Sequence, residues 1–315
     1  MINKIFSHEK KKVYVAGHTG LAGSAIMRRL AEYDCELLTV NHADLDLTNQ
    51  AGVNDWFREH APDVVYLAAA TAGGIHANYE RPGEFIFNNL AIQNNVIDAS
   101  YRYGVEKLCF LGSSCIYPRL APQPMQENSL LTGSLDKHNV WYAVAKIAGL
   151  MLADGYSKQY GCDFISVMPA NLYGPGDKYS EENSHVVAAL IRRFDEAKRA
   201  KHSSVKIWGT GKAMREFLHC DDMADACVHL METYSSPDII NIGTGKDISI
   251  HDLAYLVKNV IGYDGGIEFD PEKPDGMPRK VVDVSLLREA GWSAQIDLAG
   301  GLVSTYESFL ETTKG

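Results

Sequence analysis

The feature that most constrains this chain is a glycine-rich turn, Gly17-His18-Thr19-Gly20-Leu21-Ala22-Gly23. It lies between an apolar run at Lys12–Gly17 and a helix-period stretch at Leu21–Glu32. Glycine allows a tight turn, a close backbone approach to a pyrophosphate and close helix packing, while the helix N-terminus attracts the anion. A glycine triplet alone is weak evidence, but here it has the strand–turn–helix setting that a dinucleotide site requires. The same alternation continues along the chain. Strands are expected at Glu36–Val40, Asp63–Ala68, Lys107–Gly112 and Asp163–Pro169, and helices at Ala51–Glu59, Gly83–Tyr103 and Trp141–Tyr160. Strands and helices alternating through short loops predict an α/β fold with a doubly wound parallel sheet.

After Tyr173 the pattern changes. Gly174–Asn183 and Pro271–Pro278 read as irregular segments, with a helix from His185 to about Ala197 and short strands near Val205–Trp208 and Ile239–Ile242. Helices follow at Ile250–Ile261, capped by Ser249, and at Leu298–Thr312. The expected organisation is a Rossmann-type sheet domain over 1–171, with returning segments at about 220–248 and 281–293. A smaller, interleaved C-terminal substrate lobe takes 172–219, 249–280 and 294–315.

The chemistry-bearing pattern is Tyr142-Ala143-Val144-Ala145-Lys146 on an expected helix. Its i, i+4 spacing puts both side chains on one face, where Lys⁺ would lower the tyrosine pKa from its reference near 10. The tyrosine could then protonate a carbonyl oxygen as hydride reaches the carbon. Such a pair is common on surface helices; what lifts it is Gly112-Ser113-Ser114-Cys115-Ile116-Tyr117-Pro118, directly after a strand. Ligands of open parallel sheets bind at the carboxyl ends of the strands, so the Ser113 hydroxyl is set to orient a substrate carbonyl.

Composition removes other classes. A net charge of −10 makes a nucleic-acid backbone an unsuitable partner, and no apolar stretch has the length of a membrane helix. No secretory signal is visible at the start. The six cysteines are scattered without a CxxC pair, which argues against a zinc site or a disulfide framework and for a reducing cytoplasm. Where NAD enzymes commonly carry an acidic residue after the second strand, this chain has Val40-Asn41-His42, which favours NADP(H).

The GxxGxxG spacing resembles the extended short-chain dehydrogenase/reductases. GSSCIYP, WYAVAKIAG, MPANLYGP, NSHVVAAL, WGTGKAMREFLHCDD, NIGTG and KPDGMPRK further resemble the GDP-L-fucose synthase family, from Val13 to about Tyr306. The resemblance implies 3,5-epimerisation and 4-reduction of a GDP-4-keto-6-deoxy sugar. It gives reduction to Ser113, Tyr142 and Lys146, and epimerisation to Cys115 and His185. It gives NADP(H) contacts to Gly17, Thr19, Gly20, Leu21, Gly23, His42, Asp46, Leu47 and Ala69, joined by Tyr142, Lys146 and His185. Asn171, Arg193, Trp208, Arg215 and Lys280 match substrate-lobe positions, the cations serving the diphosphate. It also implies a homodimer that pairs the helices at Gly83–Tyr103 and Trp141–Tyr160.

The acid/base assignment makes chemical sense. A 4-ketone acidifies the hydrogens on C3 and C5, and inversion needs one group to remove a proton and another to deliver one to the opposite face. Cys and His, with reference pKa values of about 8.5 and 6.5, suit both tasks. Taken alone, a free cysteine is more often a small buried hydrophobe. The chain departs from the family where Thr19 and Val40 stand in place of arginines, Thr71 in place of a lysine and Ala170 in place of a threonine. Two other readings are a 4-reductase or single-centre epimerase/reductase on a related GDP-4-keto-deoxysugar, such as a colitose or heptose precursor, and a non-catalytic dinucleotide-binding protein.

Overall fold

The computed structural model describes residues 4–180, 184–273 and 275–313. The tail of the Gly174–Asn183 loop and one position of Pro271–Pro278 lie outside the described residues. β1 (Lys12–Ala16) leads into α1 (Leu21–Leu30), β2 (Glu36–Leu38) into α2 (Gln50–His60), and β3 (Val64–Leu67) into α3 (Ile75–Glu80) and α4 (Pro82–Arg102). β4 (Lys107–Leu111) and α5 (Val140–Tyr160) precede β5 (Asp163–Pro169). The chain then leaves this sheet through β6 (Asn171–Tyr173), α6 (Val186–Ala200), β7 (Ser204–Trp208) and β8 (Met214–His219). It returns through α7 (Cys220–Thr233) to β9 (Ile240–Ile242). It ends with β10 (Asp247–Ser249), α8 (Ile250–Ile261), β11 (Gly266–Asp270), β12 (Arg279–Lys280), α9 (Ser285–Glu289) and α10 (Leu298–Thr312).

The main sheet has six strands in the order β2-β1-β3-β4-β5-β9, every neighbour parallel. β3 and β4 are buried along their whole length, as strands covered on both faces must be. α1 and α7 pack on one face, and α2, α4 and α5 on the other. Strand order reverses between β1 and β3, which opens a crevice beyond their carboxyl ends, the usual place for a ligand in such a sheet. Lys107, fully buried at the start of β4, is made tolerable by bonds to Asp163 Oδ2 at 2.8 Å and the Tyr234 carbonyl at 2.7 Å.

A second apolar cluster gathers Tyr173, Ile191, Phe194, Leu253, Val257 and Leu302. Above it β8 pairs with β6 and β12 in parallel and with β10 antiparallel, while β7 and β11 form a separate parallel pair. Buried Glu216 on β8 ties these pieces together. Its carboxylate accepts from the amides of Thr244, Gly245 and Val282 at 2.6, 2.8 and 2.8 Å.

The sequence reading did not anticipate β8 and α7, although WGTGKAMREFLHCDD covers all of β8 and the start of α7. α7 buries residues on nearly every side, so it lacks the one-sided period that marks a helix. β6, β10 and β12 are two or three residues long and exist only by pairing with β8. α6 runs on to Ala200, where Lys201 takes a left-handed φ of +53°. Among the described residues no helix is long and apolar enough to cross a membrane.

Candidate active site

The crevice is built from the ends of β1 and β3 on one side and of β4, with α5, on the other. Gly17 sits at φ +85°, and a Cβ there would lie 2.7 Å from the Ala69 backbone, so only glycine lets the two strand ends come this close. A Cβ at Gly23 would run into the Gly17 carbonyl, which fixes α1 tightly beneath the turn. Gly20 caps α1 without any side-chain bond, leaving the first-turn amides beside Thr19 and Leu21 open to an anion. This cradle fits a dinucleotide pyrophosphate. Asp46 is held ionised: Thr48 donates to it through its amide at 2.9 Å and its hydroxyl at 2.8 Å, and His42 adds a smaller favourable charge. Leu47 is buried and its carbonyl accepts from Asn95 Nδ2 at 2.9 Å.

At the end of β4, Ser113 caps a short 3₁₀ turn over Ser114–Ile116, its Oγ accepting from the Cys115 amide at 3.3 Å. That turn aims Cys115 back at α5. Lys146 Nζ donates to the Leu111 carbonyl at 2.7 Å and lies 4.9 Å from the Phe110 ring centroid and 5.7 Å from that of Tyr142. Phe85 meets Tyr142 edge-on at 6.5 Å. Ser113, Cys115, Tyr142 and Lys146 thus lie close enough to act on one another, and Lys280 stands within electrostatic reach of both Cys115 and His185.

Burial dominates the charges here. It pushes the Tyr142 hydroxyl up, with Cys115 adding to the effect, opposite in direction to the lowering expected from Lys146. Burial also brings Lys146 down to about 8, against a small opposing pull from Cys115. The Cys115 thiol is raised by burial, against Lys280, Ser113 and Lys146, which favour the thiolate. His185 is lowered by burial of its ring and then by Lys280, although the residue as a whole is exposed. The resting site therefore holds a protonated phenol, a thiol and a neutral imidazole.

The remaining cations form a second group. Arg193 on α6 lies 5.9 Å from the ring centroid of exposed Trp208, and Lys273 lies 5.3 Å from the same ring. Arg215 donates to the Met214 carbonyl at 2.8 Å and the Asp275 carbonyl at 3.3 Å. The Asp275 carboxylate accepts from the Thr210 amide and hydroxyl at 2.6 and 2.7 Å. Asn171 Nδ2 donates to the Glu216 carbonyl at 2.7 Å. Sequence reasoning passed over Lys273 and Asp275, although both lie in the KPDGMPRK motif. It also passed over Asp136, which accepts from the His138 amide at 2.9 Å and faces Arg215 and Lys280. Asp136 lies in a loop without a motif.

Two other features stand apart. A cavity of about 400 Å³ between β10, α9 and α10 is lined by Thr244, Lys246, Arg288 and Trp292, and contains none of the groups above. His219, Cys220 and Asp221 bring metal-ligating atoms within 4.8 Å of one another. They are already engaged: the His219 ring caps α7 through the Asp221 amide at 3.2 Å, and Arg28 Nη2 lies 3.4 Å from the Cys220 sulfur.

A parallel sheet with a glycine cradle at its switch point, and a Ser–Tyr–Lys pocket beside it, defines a nucleotide-dependent short-chain oxidoreductase. The chain belongs to the NAD dependent epimerase/dehydratase family, which it matches over residues 13–243. More narrowly, it is 52% identical to GDP-L-fucose synthase 1 of Arabidopsis thaliana, over 97% of this chain and 95% of that one. A gdp-l-fucose synthetase from Naegleria fowleri bound to NADP superposes with a TM-score of 0.93 at 27% identity, covering 99% and 96% of the two chains. A GDP-6-OMe-4-keto-L-xylo-heptose reductase from C. jejuni does so at 0.91 and 35%, covering 98% and 99%.

Proposed function

We propose that this protein converts GDP-4-keto-6-deoxy-D-mannose to GDP-L-fucose, by epimerisation at C3 and C5 and then reduction at C4, with NADPH as reductant. The observation that carries the reading is the clustering of Tyr142, Lys146 and Ser113 around Cys115, with the Lys280 charge felt by both Cys115 and His185. A ketone held there meets both a proton donor and an acid/base pair. The greater identity to the Arabidopsis synthase, 52% against 35% for the heptose reductase, favours the fucose product over the heptose chemistry.

Each side chain has a role. Ser113 donates to O4 and sets the plane of the carbonyl. Cys115 and His185 exchange protons with C3 and C5 from opposite faces, the C–H electron pair passing into the enolate. NADPH supplies the hydride to C4. Tyr142, kept protonated by burial, gives its proton to O4, and the Lys146 ammonium steadies the phenolate left behind. Arg193 and Arg215 bind the diphosphate, with Trp208 and Asn171 lining the sugar-nucleotide path. The first apolar core carries the cofactor half and the second the substrate half. The six free cysteines fit a reducing cytoplasm.

Two copies form the working protein on this reading. α4 and α5 leave Phe87, Tyr101, Trp141, Val144, Met151 and Tyr160 exposed, apolar side chains on two neighbouring helices that suit a homodimer face.

The test mixes the protein with GDP-4-keto-6-deoxymannose and NADPH. Wild type is expected to oxidise NADPH and yield GDP-L-fucose. Tyr142→Phe should lose about 10²- to 10⁴-fold in reduction, yet still exchange solvent deuterium into C3 and C5. Cys115→Ser should lose that exchange. Undiminished exchange in Cys115→Ser would remove the cysteine from the mechanism, and a product other than GDP-L-fucose would move the protein to another GDP-keto sugar.

A further inference from the structure

The cavity of about 400 Å³ between β10, α9 and α10 has the size of a small-molecule site, and the chemistry described so far leaves it unused. Its floor is apolar, made by Phe217, Val284, Leu287 and Trp292, all buried. Trp292 is held back from filling the space, because its Nε1 donates to Asp225 Oδ2 at 2.7 Å. The walls are fixed as well. On one side, the Glu216 carboxylate holds the turn at Thr244 and Gly245 by accepting from both amides. On the other, the amides of Gln295 and Ile296 donate to Asp222 Oδ2 at 3.0 and 2.9 Å. Both carboxylates are buried, a placement that is costly unless such bonds are made. The hollow is therefore preformed.

Its charges point to the class of ligand. Four charged side chains line it: Asp247, Asp297, Lys246 and Arg288. Asp247 is paired with Arg279, whose Nε donates to Oδ2 at 2.5 Å, and Asp297 caps α10 by accepting from the Gly300 amide at 2.9 Å. Among the described residues the side chains of Lys246 and Arg288 make no hydrogen bond or ion pair. Asp283, which feels the Arg288 charge, is itself taken up by the Ser285 amide at 2.8 Å. Arg288 reaches the turn that carries Lys246: a Cβ on Gly245 would lie 3.6 Å from Arg288 Nη2. Two exposed cations beside an aromatic floor match an anion with a flat apolar body. The body would displace water from Trp292 and Leu287, and the anionic group would accept from Arg288 and Lys246.

We propose that this cavity is a second binding site, for a small organic anion with an aromatic body. It is separate from the catalytic crevice, since neither Cys115, Tyr142, Arg215 nor Lys280 lines it. The test uses anilinonaphthalene sulfonate, whose fluorescence rises in an apolar site, added to the full chain with the crevice filled by NADP⁺ and GDP. Wild type is expected to bind it saturably. Lys246→Gln combined with Arg288→Gln should weaken that binding about tenfold. Phenylnaphthylamine, a matching body without the sulfonate, should bind both proteins alike. NADPH affinity checks the folding of the double variant and should stay within about twofold of wild type, as both side chains are on the surface. No saturable fluorescence in the crevice-filled wild type overturns the proposal. So does undiminished binding in the double variant, which would place the probe elsewhere, on the exposed side chains of α4 and α5 first of all. Equal weakening of both probes would mean that the substitutions deform the hollow, and it overturns the assignment of an anion.

Discussion

Asp177 follows β6 in a turn that rests near Ser24 on α1. Its Oδ1 accepts from the Lys178 amide at 2.7 Å, while Oδ2 is buried without a hydrogen-bond partner among the described residues. Burial raises the carboxyl from 3.8 to about 6. Because the folded pKa is the higher one, the folded state holds more protons between those two values, and stability falls as pH rises through that window. The penalty is complete above about pH 6 and absent below 3.8. Asp177→Asn is therefore expected to raise stability at pH 7 by about 1–2 kcal/mol, a discounted value for a shift of this size. The gain should vanish by pH 3.5, as urea unfolding at the two pH values would read. A destabilised variant at pH 7 would mean that the carboxylate is needed ionised. None of this was legible in YGPGDKYS, because an aspartate in a glycine–proline turn reads as solvated. Ser113, Cys115, Tyr142 and Lys146 were legible, because each lies in a local pattern tied to one strand end or one helix face. The setting of Lys280 was not, because β12 joins β8 beside Arg215 from near the other end of the chain.

The helices α4 and α5 were expected to pair across a dimer. In the fold they first pack on each other within one chain, and Gly149 is the reason. A Cβ there would lie 2.5 Å from both Gln93 Oε1 and Phe110 Cζ, while Gln93 Nε2 donates to the Ala145 carbonyl at 2.6 Å. Gly149→Ala should destabilise the protein by about 1–3 kcal/mol through overpacking, despite the better helix propensity of alanine. It should also slow reduction, since Tyr142 and Lys146 ride on α5. Thermal melting and NADPH oxidation would measure the two effects, and an unaltered melting temperature would mean that α5 has room to shift. Long elements with a clean period, such as α8 and α10, were legible to the residue. β8 was not, although it organises the smaller sheet; half of its residues are polar, and its burial comes from partners distant in sequence.

At the scale of the molecule, the exposed stripe on α4 and α5 bears on assembly. Phe87 is 66% exposed and Trp141 45%, large values for aromatic side chains on well-formed helices. Sedimentation should return twice the 34.7 kDa chain mass. Met151→Glu combined with Tyr101→Glu should give monomers that still bind NADPH, because charge on a desolvated apolar face opposes association. A monomeric wild type at micromolar concentration would leave the stripe without a partner of its own kind. The sequence by itself determined the sheet, the glycine cradle and the Ser–Tyr–Lys set, because strand period, turn chemistry and i, i+4 spacing are local properties of the chain. Only the tertiary structure decided which protons the site holds at rest, and which cations act on Cys115. Both depend on how much protein surrounds a group, and that is settled when distant segments close over the ends of the strands.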